Sequence, residues 1–361
     1  MRRPAALIVG GGPAGSAAAI ALAAAGTRAL MIERSRDDED ALCGGFISWR
    51  TIETLRRLGV EADDLNPARV VRARVFAGTR MREAPLPAPA LAVSRRRLDA
   101  LLRARAGAVA DIERGVAVRA VEEGVLRTAD GGHLCADALF LATGKHDLRG
   151  LARPEAARGA DPTLGLRVRL GPHPRLAALV GDAIELHLFD RGYAGLVMQE
   201  DGAANLCLAV HRSRLDGMSP SRLIESLGQE VPALGERLAF MASDAPVDAI
   251  ANVPYGWRER VGEAGLFRLG DQAGVIPSLA GEGMGIALAS GLSAANAYAK
   301  GGPSASLAWQ PRVARDLRRP LAVAGFVRDV AEGRAAATAV ALLPRSAIGW
   351  LARATRVRFG L

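Results

Sequence analysis

The chain has 361 residues, half of them hydrophobic, and its formal net charge is +9. This length predicts about two domains, and the hydrophobic content predicts a large buried core, which excludes disorder over most of the chain. Basic residues are scattered among acidic ones, and only three Tyr and eight Phe are present, which argues against nucleic-acid binding. The three cysteines form no CxxC pair, which argues against a disulfide framework or a zinc site and favours a reduced, cytoplasmic protein.

The N-terminus resembles a secretion signal in charge and hydropathy. Arg2 and Arg3 precede a long apolar run, but the GGGP sequence at 10–13 would break the helix that a signal peptide forms. Every uncharged apolar stretch of about 18 residues is interrupted by a glycine-rich turn, so we expect no membrane-spanning helix.

The first elements in chain order are a strand, a helix and a second strand. The apolar run 5–9 ends at glycines and predicts a buried parallel strand. The alanine-rich segment 14–26 predicts a helix that a glycine ends, and 28–33 predicts the second strand. Together they form a β-α-β unit of the expected length.

A glycine turn joins the first strand to the helix. Gly10-x-Gly12-x-x-Gly15 is typical of dinucleotide binding in this context. Gly10 permits the tight turn, Gly12 lets a pyrophosphate approach the backbone, and Gly15 lets the helix pack on the strand. The helix N-terminus then binds the phosphates, and Glu33 is placed to accept hydrogen bonds from ribose hydroxyls. A tight turn without a ligand is the alternative.

The rest of the chain alternates between strands and helices. Three prolines at 85, 87 and 89 indicate an extended segment. Strands are predicted at 70–76, 116–121, 124–128, 137–142, 164–170, 184–190, 193–199, 205–211 and 266–270. Helices are predicted at 49–58, 94–106, 219–242 and 284–299 and in the tail, 305–361.

Three motifs together resemble a known flavoprotein class. They are GGGPAG at 10–15 followed by Glu33-Arg34, SRRRLD at 94–99, and GDQAGVIPSLAGEGMGIALASG at 270–291. Over most of its length the chain resembles the class of p-hydroxybenzoate hydroxylase, and it is most similar to the geranylgeranyl reductase branch. The resemblance implies an FAD-dependent oxidoreductase, because GGGPAG paired with a late Gly-Asp motif is specific to FAD as opposed to NAD.

The implied fold is α/β. It comprises a Rossmann-like FAD-binding domain with a parallel sheet, an inserted antiparallel β-sheet substrate domain and a helical C-terminal tail. Strands separated by turns between about 164 and 212 agree with the antiparallel sheet. The expected boundaries are 1–75, 94–150 and 262–300 for the FAD-binding domain, 76–93 and 151–261 for the substrate domain, and 301–361 for the helical C-terminal region.

The resemblance also implies a set of cofactor-binding residues, with no catalytic residue or metal site assigned. Asp271 is expected to bond a ribityl or ribose hydroxyl, and Gly281, Gly283 and Gly285 are expected to keep side chains away from the flavin ring. Arg95 is expected to reach the FAD phosphates or ribose; either of the next two arginines, or a merely solvated helix face, is the alternative. The full set is Gly10, Gly12, Pro13, Ala14, Gly15, Glu33, Arg34, Gly44, Arg95, Val118, Gly144, Gly270, Asp271, Gly281, Gly283, Met284 and Gly285.

The segment after the strand at 137–142 departs from the class. Hydroxylases of the class carry an Asp-Gly pair there, tied to FAD and NAD(P)H, whereas this chain has TGKHD at 143–147. NAD(P)H as electron donor therefore stays open. His146, His187 and His211 are candidate acids or bases, and a structural role for each is the alternative.

The tail carries a strongly apolar face. Residues 334–357 combine it with Arg345, Arg353 and Arg356, and with Trp350. This pattern is typical of a helix at a membrane interface or at the mouth of a lipid site. A helix pair packed on the protein itself is the alternative.

Three functions are compatible with these features. The first is reduction or dehydrogenation of a hydrophobic substrate that is isoprenoid, lipid or polyketide-like. The alternatives are an FAD-dependent monooxygenase acting on an aromatic or polyketide-like substrate and a flavin-binding electron-transfer protein. Cys43, in a CGG sequence similar to one in the reductase branch, lines the substrate side or is an inert buried cysteine. The expected partners are a hydrophobic small molecule, a redox protein and the surface of a membrane, but no nucleic acid.

Overall fold

The computed structural model describes residues 4–359, so Arg2 and Arg3 lie outside it, as does the side chain of Arg345. In chain order the strands are β1 (Ala6–Val9), β2 (Leu30–Glu33), β3 (Phe46–Ile47), β4 (Val70–Ala77), β5 (Arg80–Ala92), β6 (Asp111–Arg114), β7 (Val118–Glu122), β8 (Val125–Thr128), β9 (His133–Leu134), β10 (Ala138–Leu141), β11 (Thr163–Leu170), β12 (Ala183–Phe189), β13 (Gly192–Met198), β14 (Ala204–His211), β15 (Asp248–Val253) and β16 (Leu266–Arg268).

Helices separate and follow these strands. They are α1 (Pro13–Ala24), α2 (Trp49–Arg57), α3 (Ala62–Leu65), α4 (Arg95–Gly107), α5 (Pro174–Val180), α6 (Pro220–Glu230), α7 (Pro232–Leu238), α8 (Gly283–Gly301), α9 (Ser306–Ala331), α10 (Ala336–Leu342) and α11 (Arg345–Ala354). The predicted elements are therefore present, with bounds that differ by a few residues, and the predicted helix at 219–242 is two shorter helices.

A five-stranded parallel sheet forms the first layer, in the order β16-β10-β1-β2-β6. Both of its faces are buried, which explains why β1 is apolar at every position. Ile8 points into a core shared with α1, α8 and α9. Leu7 and Val9 point the other way, toward the small three-stranded sheet of β7, β8 and β9.

Helices α1 and α8 pack closely because both are rich in small residues. A Cβ atom on Gly291 of α8 would lie 2.4 Å from the carbonyl oxygen of Ala14 in α1. Larger side chains would push the two helices apart. This contact sets the middle of α8 beside the start of α1. The two glycine motifs also meet at Gly270, where a Cβ atom would lie 3.3 Å from Ala14 Cβ.

An eight-stranded sheet forms the second layer, in the order β15-β11-β14-β13-β12-β4-β5-β3. Its pairs are antiparallel except for β12 and β4, which run parallel. Helices α5, α6 and α7 cover one face of this sheet, and α10 and α11 pack against the other. The α/β fold with a separate, mainly antiparallel sheet confirms the predicted fold class.

One predicted domain boundary falls inside a strand. The boundary between 75 and 76 divides β4, which pairs along its length with β12 and β5 of the second sheet. β4 and β5 form one hairpin, so both strands lie in the second layer. Pro85, Pro87 and Pro89 lie in β5, which is extended as predicted.

Helices α9, α10 and α11 form the C-terminal region. None of the helices formed by residues 4–359 is long and apolar enough to cross a membrane. Large apolar side chains of this region face solvent, among them Leu342, which is 77% exposed, and Trp350, which is 55% exposed. The expected contact with a membrane surface stays a prediction.

Candidate cofactor and substrate site

The glycine turn has a different steric requirement at each of its three glycines. Gly10 has a φ of +106°, and a Cβ atom there would lie 2.4 Å from the carbonyl oxygen of Ala142. A Cβ atom on Gly15 would lie 1.9 Å from the carbonyl oxygen of Gly10. These two glycines therefore serve the fold, since they let α1 and β10 close around the turn.

Gly12 serves the cavity instead. It is the N-cap of α1. Within residues 4–359 no side chain caps this helix, and Arg95 Nη2, at 3.3 Å, is the one atom found within 4 Å of its Cβ position. A helix N-terminus without a side-chain cap leaves backbone N–H groups free for an anion. The turn thus has the form of a phosphate site.

Glu33 lies against the same turn. Gly11 N donates to Glu33 Oε2 at 2.6 Å, and Ser35 N donates to Glu33 Oε1 at 2.8 Å. Each carboxylate oxygen accepts more than one hydrogen bond, so Glu33 keeps the capacity to accept from ribose hydroxyls.

Arg34 and His146 form a second pair beside the cavity. Arg34 Nη2 lies 3.0 Å from His146 Nε2. Burial, and then the charge of Arg34, lower the pKa of His146, so its ring is neutral at pH 7. In this state His146 accepts a hydrogen bond from Arg34, which is a structural role.

Arg95 is the arginine of its run that faces the cavity. Its Nε and Nη2 atoms donate to the two carboxylate oxygens of Asp99 at 2.9 and 2.8 Å. Burial alone disfavours the guanidinium charge, but Asp99 outweighs it and raises the pKa of Arg95. Arg96 and Arg97 are exposed and do not line the cavity. Arg95 is thus a fixed cation beside Gly12.

Asp271 lies opposite the loop that departs from the hydroxylase pattern. Lys145 Nζ is 3.1 Å from Asp271 Oδ2, and both side chains line the cavity. The negative charge of Asp271 is the main cause that raises the pKa of Lys145, so the lysine stays charged. Arg153 reinforces this contact by donating to the carbonyl oxygens of Gly144 and Asp271 at 3.3 and 2.9 Å.

The glycines around the start of α8 differ from the expectation that all three face the flavin. A Cβ atom on Gly285 would lie 2.7 Å from Glu282 Oε1, and one on Gly281 would lie 2.7 Å from Phe46 Cδ1. Gly285 does not line the cavity, whereas Gly283 lines it and has open space at its Cβ position. Gly285 is thus small because the buried carboxylate of Glu282 occupies that space.

Glu282 is held by the C-terminal end of the chain. Arg356 forms a buried ion pair with Glu282 and donates to the carbonyl oxygens of Ala280 and Gly281. Val357 N donates to Glu282 Oε1 at 3.0 Å. The charge of Arg356 is thus bound by buried protein groups, which agrees with the alternative that the C-terminal helices pack on the protein itself.

These elements enclose one continuous cavity of about 980 Å³. It contains every predicted cofactor-binding residue except Gly15 and Gly285. From the turn it continues into an apolar chamber between the eight-stranded sheet and the C-terminal helices. The apolar chamber is lined by Ala73, Val75, Leu86, Ile184, Leu186, Leu188, Phe326, Val330, Ala336, Ala339, Val340, Leu343, Ile348 and Leu351.

Two cysteines lie where the sheets meet. Cys207 Sγ donates to the carbonyl oxygen of Cys43 at 3.0 Å, and Asn205 Nδ2 donates to the same oxygen. Burial raises the pKa of Cys207 to about 12. Both cysteines line the cavity, and Cys207 remains a neutral thiol that holds the 43–45 segment in place.

A cluster of three hydroxyl groups faces the apolar chamber. Tyr193 Oη lies 2.6 Å from Ser278 Oγ, and Tyr255 Oη donates to Ser278 Oγ at 2.8 Å. Leu279 N donates to Tyr193 Oη at 3.1 Å. We call Tyr193, Ser278 and Tyr255 the hydroxyl cluster. The sequence alone did not bring these three residues together, since they are spread over 85 residues.

The other two histidine candidates lie outside the cavity. His187 is fully buried on the face of β12 opposite Leu186 and Leu188, stacked on Phe76 and bonded to Glu185. His211 contacts Glu332 and Asp161. Neither lines the cavity. Both are therefore structural.

Residues 3–147 match a protein family described as FAD binding domain. The protein therefore binds FAD. The match covers the glycine turn, Glu33, Arg95 and the loop at Lys145, which are the elements that form one end of the cavity.

A curated relative extends this comparison. Tetracenomycin B2 monooxygenase-dioxygenase of Streptomyces olivaceus is 34% identical over 189 residues, which are 52% of this chain and 30% of that protein. The chain thus spans about a third of the length of this relative. Together with the FAD-binding match, this relative supports the prediction of an FAD-dependent oxidoreductase.

Solved structures show the same fold at low sequence identity. PqsL, a probable FAD-dependent monooxygenase from Pseudomonas aeruginosa, has a TM-score of 0.73 at 17% identity, covering 94% of this chain and 99% of that one. A geranylgeranyl bacteriochlorophyll reductase-like protein from Thermoplasma acidophilum has a TM-score of 0.70 at 20% identity, covering 98% and 91%. The specific branch is thus not distinguished by fold.

The residues present fit FAD. The uncapped start of α1 and Arg95 would hold the pyrophosphate, Glu33 a ribose, and Asp271 the ribityl chain. Gly283 and the start of α8 would face the ring, since the space at Gly283 is open. Contact of each of these residues with FAD stays a prediction.

Proposed function

We propose that the protein is an FAD-dependent monooxygenase that hydroxylates an aromatic or polyketide-like substrate in the apolar chamber. The observation that carries the proposal is the continuity of the FAD-binding end of the cavity with an apolar chamber that holds the hydroxyl cluster. An apolar pocket with a few convergent polar groups is typical of a small-molecule site.

The hydroxyl cluster favours hydroxylation over reduction of an isoprenoid. A hydrocarbon chain offers no partner for polar groups, and polar groups covered by a ligand without a partner cost free energy. An oxygen-bearing aromatic substrate offers such a partner. The monooxygenase relative, with 34% identity over half of this chain, supports the same choice.

The residues of the chain bind FAD, orient the substrate and keep water out of the chamber. FAD, when bound, supplies the oxygen chemistry, with electrons from NAD(P)H or another donor and molecular oxygen as co-substrate. The apolar walls from β4, β12 and α9–α11 exclude water from the chamber. The hydroxyl cluster orients the substrate, and Arg95 and Lys145 balance the negative charge of the cofactor.

Isotope labelling tests this function. The FAD-loaded protein would be incubated with NADH or NADPH, ¹⁸O₂ and a panel of hydroxynaphthalenes and hydroxyanthraquinones, and the products would be examined by mass spectrometry. We expect one ¹⁸O atom in the product. Absence of ¹⁸O incorporation across the panel, with hydrogenation of geranylgeraniol under dithionite and without oxygen, would support the reductase instead.

A reductase is the second candidate, because the loop that contains Lys145 departs from the hydroxylase sequence that is tied to NAD(P)H. The TGKHD loop replaces the Asp-Gly pair of the hydroxylases, and Lys145 pairs with Asp271. Reduction of the flavin by NAD(P)H is therefore tested separately, by anaerobic mixing and flavin absorbance. Slow reduction by both nucleotides would favour a redox protein as electron donor.

A further inference from the structure

Ser278 has an unusual position among the polar groups of the cavity. It follows Pro277, in the loop that leads to α8, and its side chain is exposed to the cavity. Tyr193 reaches it from β13, and Tyr255 from the segment after β15. Three separate parts of the fold therefore converge on one serine hydroxyl beside the FAD-binding end.

The hydrogen bonds define which way the protons point. A hydroxyl group has one proton to donate and two lone pairs that accept. Leu279 N donates to Tyr193 Oη, which uses one of its lone pairs. Tyr193 is 2% exposed, and within residues 4–359 the acceptor recorded near its hydroxyl is Ser278 Oγ. Its proton therefore goes to Ser278, because an unpaired buried donor is costly.

Ser278 then accepts two hydrogen bonds. Tyr255 Oη donates the second, at 2.8 Å. Both lone pairs of Ser278 Oγ are now in use, so its own proton is the group left to bond a ligand. Since Ser278 is exposed and lines the cavity, a substrate in that space can reach this proton.

We propose that Ser278 is the substrate-binding donor of the apolar chamber and that the substrate is a planar apolar ring system with a carbonyl, enolate or phenolate oxygen that accepts from it. This inference deepens the proposed function, on which it rests, by naming the substrate's recognition group. The tyrosines act as positioning residues, because they hold Ser278 as a donor and do not need to touch the substrate.

The recognition group is tested by binding at equilibrium, which requires no turnover. The probes are 9-fluorenone and fluorene, planar tricyclic molecules that differ by one carbonyl oxygen. Their dissociation constants would be measured by equilibrium dialysis against the FAD-loaded protein and its variants Ser278→Ala, Tyr255→Phe and Ser304→Ala. Ser304 is an exposed serine outside the cavity and provides the matched control.

We expect the wild-type protein to bind fluorenone more tightly than fluorene. In Ser278→Ala this preference should fall by about 3- to 10-fold, as expected for one neutral hydrogen bond. Ser304→Ala should leave it unchanged, and Tyr255→Phe should reduce it less than Ser278→Ala, because Ser278 keeps its proton. The FAD content and melting temperature of each variant show that it is folded.

Some results would overturn the inference. They are an unchanged preference in Ser278→Ala, a larger loss in Tyr255→Phe than in Ser278→Ala, or no binding of either probe to the wild-type protein. A protein that binds fluorenone through Ser278 but incorporates no ¹⁸O would retain this inference and lose the proposed monooxygenase function, so the two failures are distinguishable.

Discussion

Arg356, two residues after α11, forms a buried ion pair with Glu282, the residue before α8. The arginine side chain is 3% exposed and the glutamate side chain 1%. Arg356 also lies over the ring of Trp49, 5.5 Å from its centroid. The C-terminal end of the chain is thereby attached to the loop that faces the FAD-binding end of the cavity.

Removal of Arg356 should destabilise the protein strongly. In Arg356→Met, Glu282 would remain buried without its partner, which costs about 3–5 kcal/mol of unfolding free energy. The double variant Glu282→Gln/Arg356→Met should lose less, since no unpaired charge is left. Urea-induced unfolding measures both. Arg353→Met, at an exposed position of α11, is the control, and equal losses in it and in Arg356→Met would show that the ion pair is unimportant.

Gly12 and Gly15 should respond differently to the same substitution. Gly12→Ala places a methyl group where the pyrophosphate is predicted to bind, so FAD affinity should fall by about 10-fold or more, as for one or two lost charge-assisted hydrogen bonds. Gly15→Ala should instead lower the stability of the apoprotein, because its Cβ atom would overlap Gly10. Flavin fluorescence titration and urea unfolding separate the two effects. The reverse pattern would contradict the assignment of Gly12 to the phosphate.

Asp271 should contribute to FAD affinity through its charge. Asp271→Asn replaces the charged acceptor predicted for a ribityl hydroxyl with a neutral amide and removes the ionic partner of Lys145, so the dissociation constant for FAD should rise by about 10-fold. Titration of the apoprotein with FAD measures this. Asp244→Asn, at an exposed acid outside the cavity, should have no effect. Unaltered affinity in Asp271→Asn would remove this residue from the predicted site.

His187 should make stability depend on pH. Burial lowers the pKa of His187 below its ordinary value of about 6.5, although Glu185 opposes this shift. Between the lowered folded value and 6.5 the unfolded chain binds more protons, so the unfolding free energy should fall as the pH falls below about 6.5. His187→Phe removes the imidazole that takes up the proton, so the unfolding free energy should depend less on pH between 7.5 and 5.5 in urea unfolding. Phenylalanine is chosen because its ring can keep the stacked position on Phe76.

A surface histidine provides the control for this pH experiment. His133 is exposed on β9, so His133→Gln should leave the slope as in the wild-type protein. If His187→Phe has the same slope as the wild-type protein, His187 is not the group responsible.

The sequence by itself determined the glycine turn and the positions of the predicted strands along the chain. The Gly10, Gly12 and Gly15 spacing expresses local steric requirements, and β1 is apolar throughout because both faces of its sheet are buried. Such signals depend on neighbouring residues. They can be recognised before any long-range contact is known.

The tertiary structure decided which distant groups meet. It joined Arg356 to Glu282, placed β4 in the second sheet, directed His187 away from the cavity and brought Tyr193 and Tyr255 to Ser278. These contacts follow from the packing of whole sheets and helices, and no local pattern encodes a partner 74 residues away. For the same reason, the glycine at 285 could be recognised from the sequence, but the buried carboxylate that requires it could not.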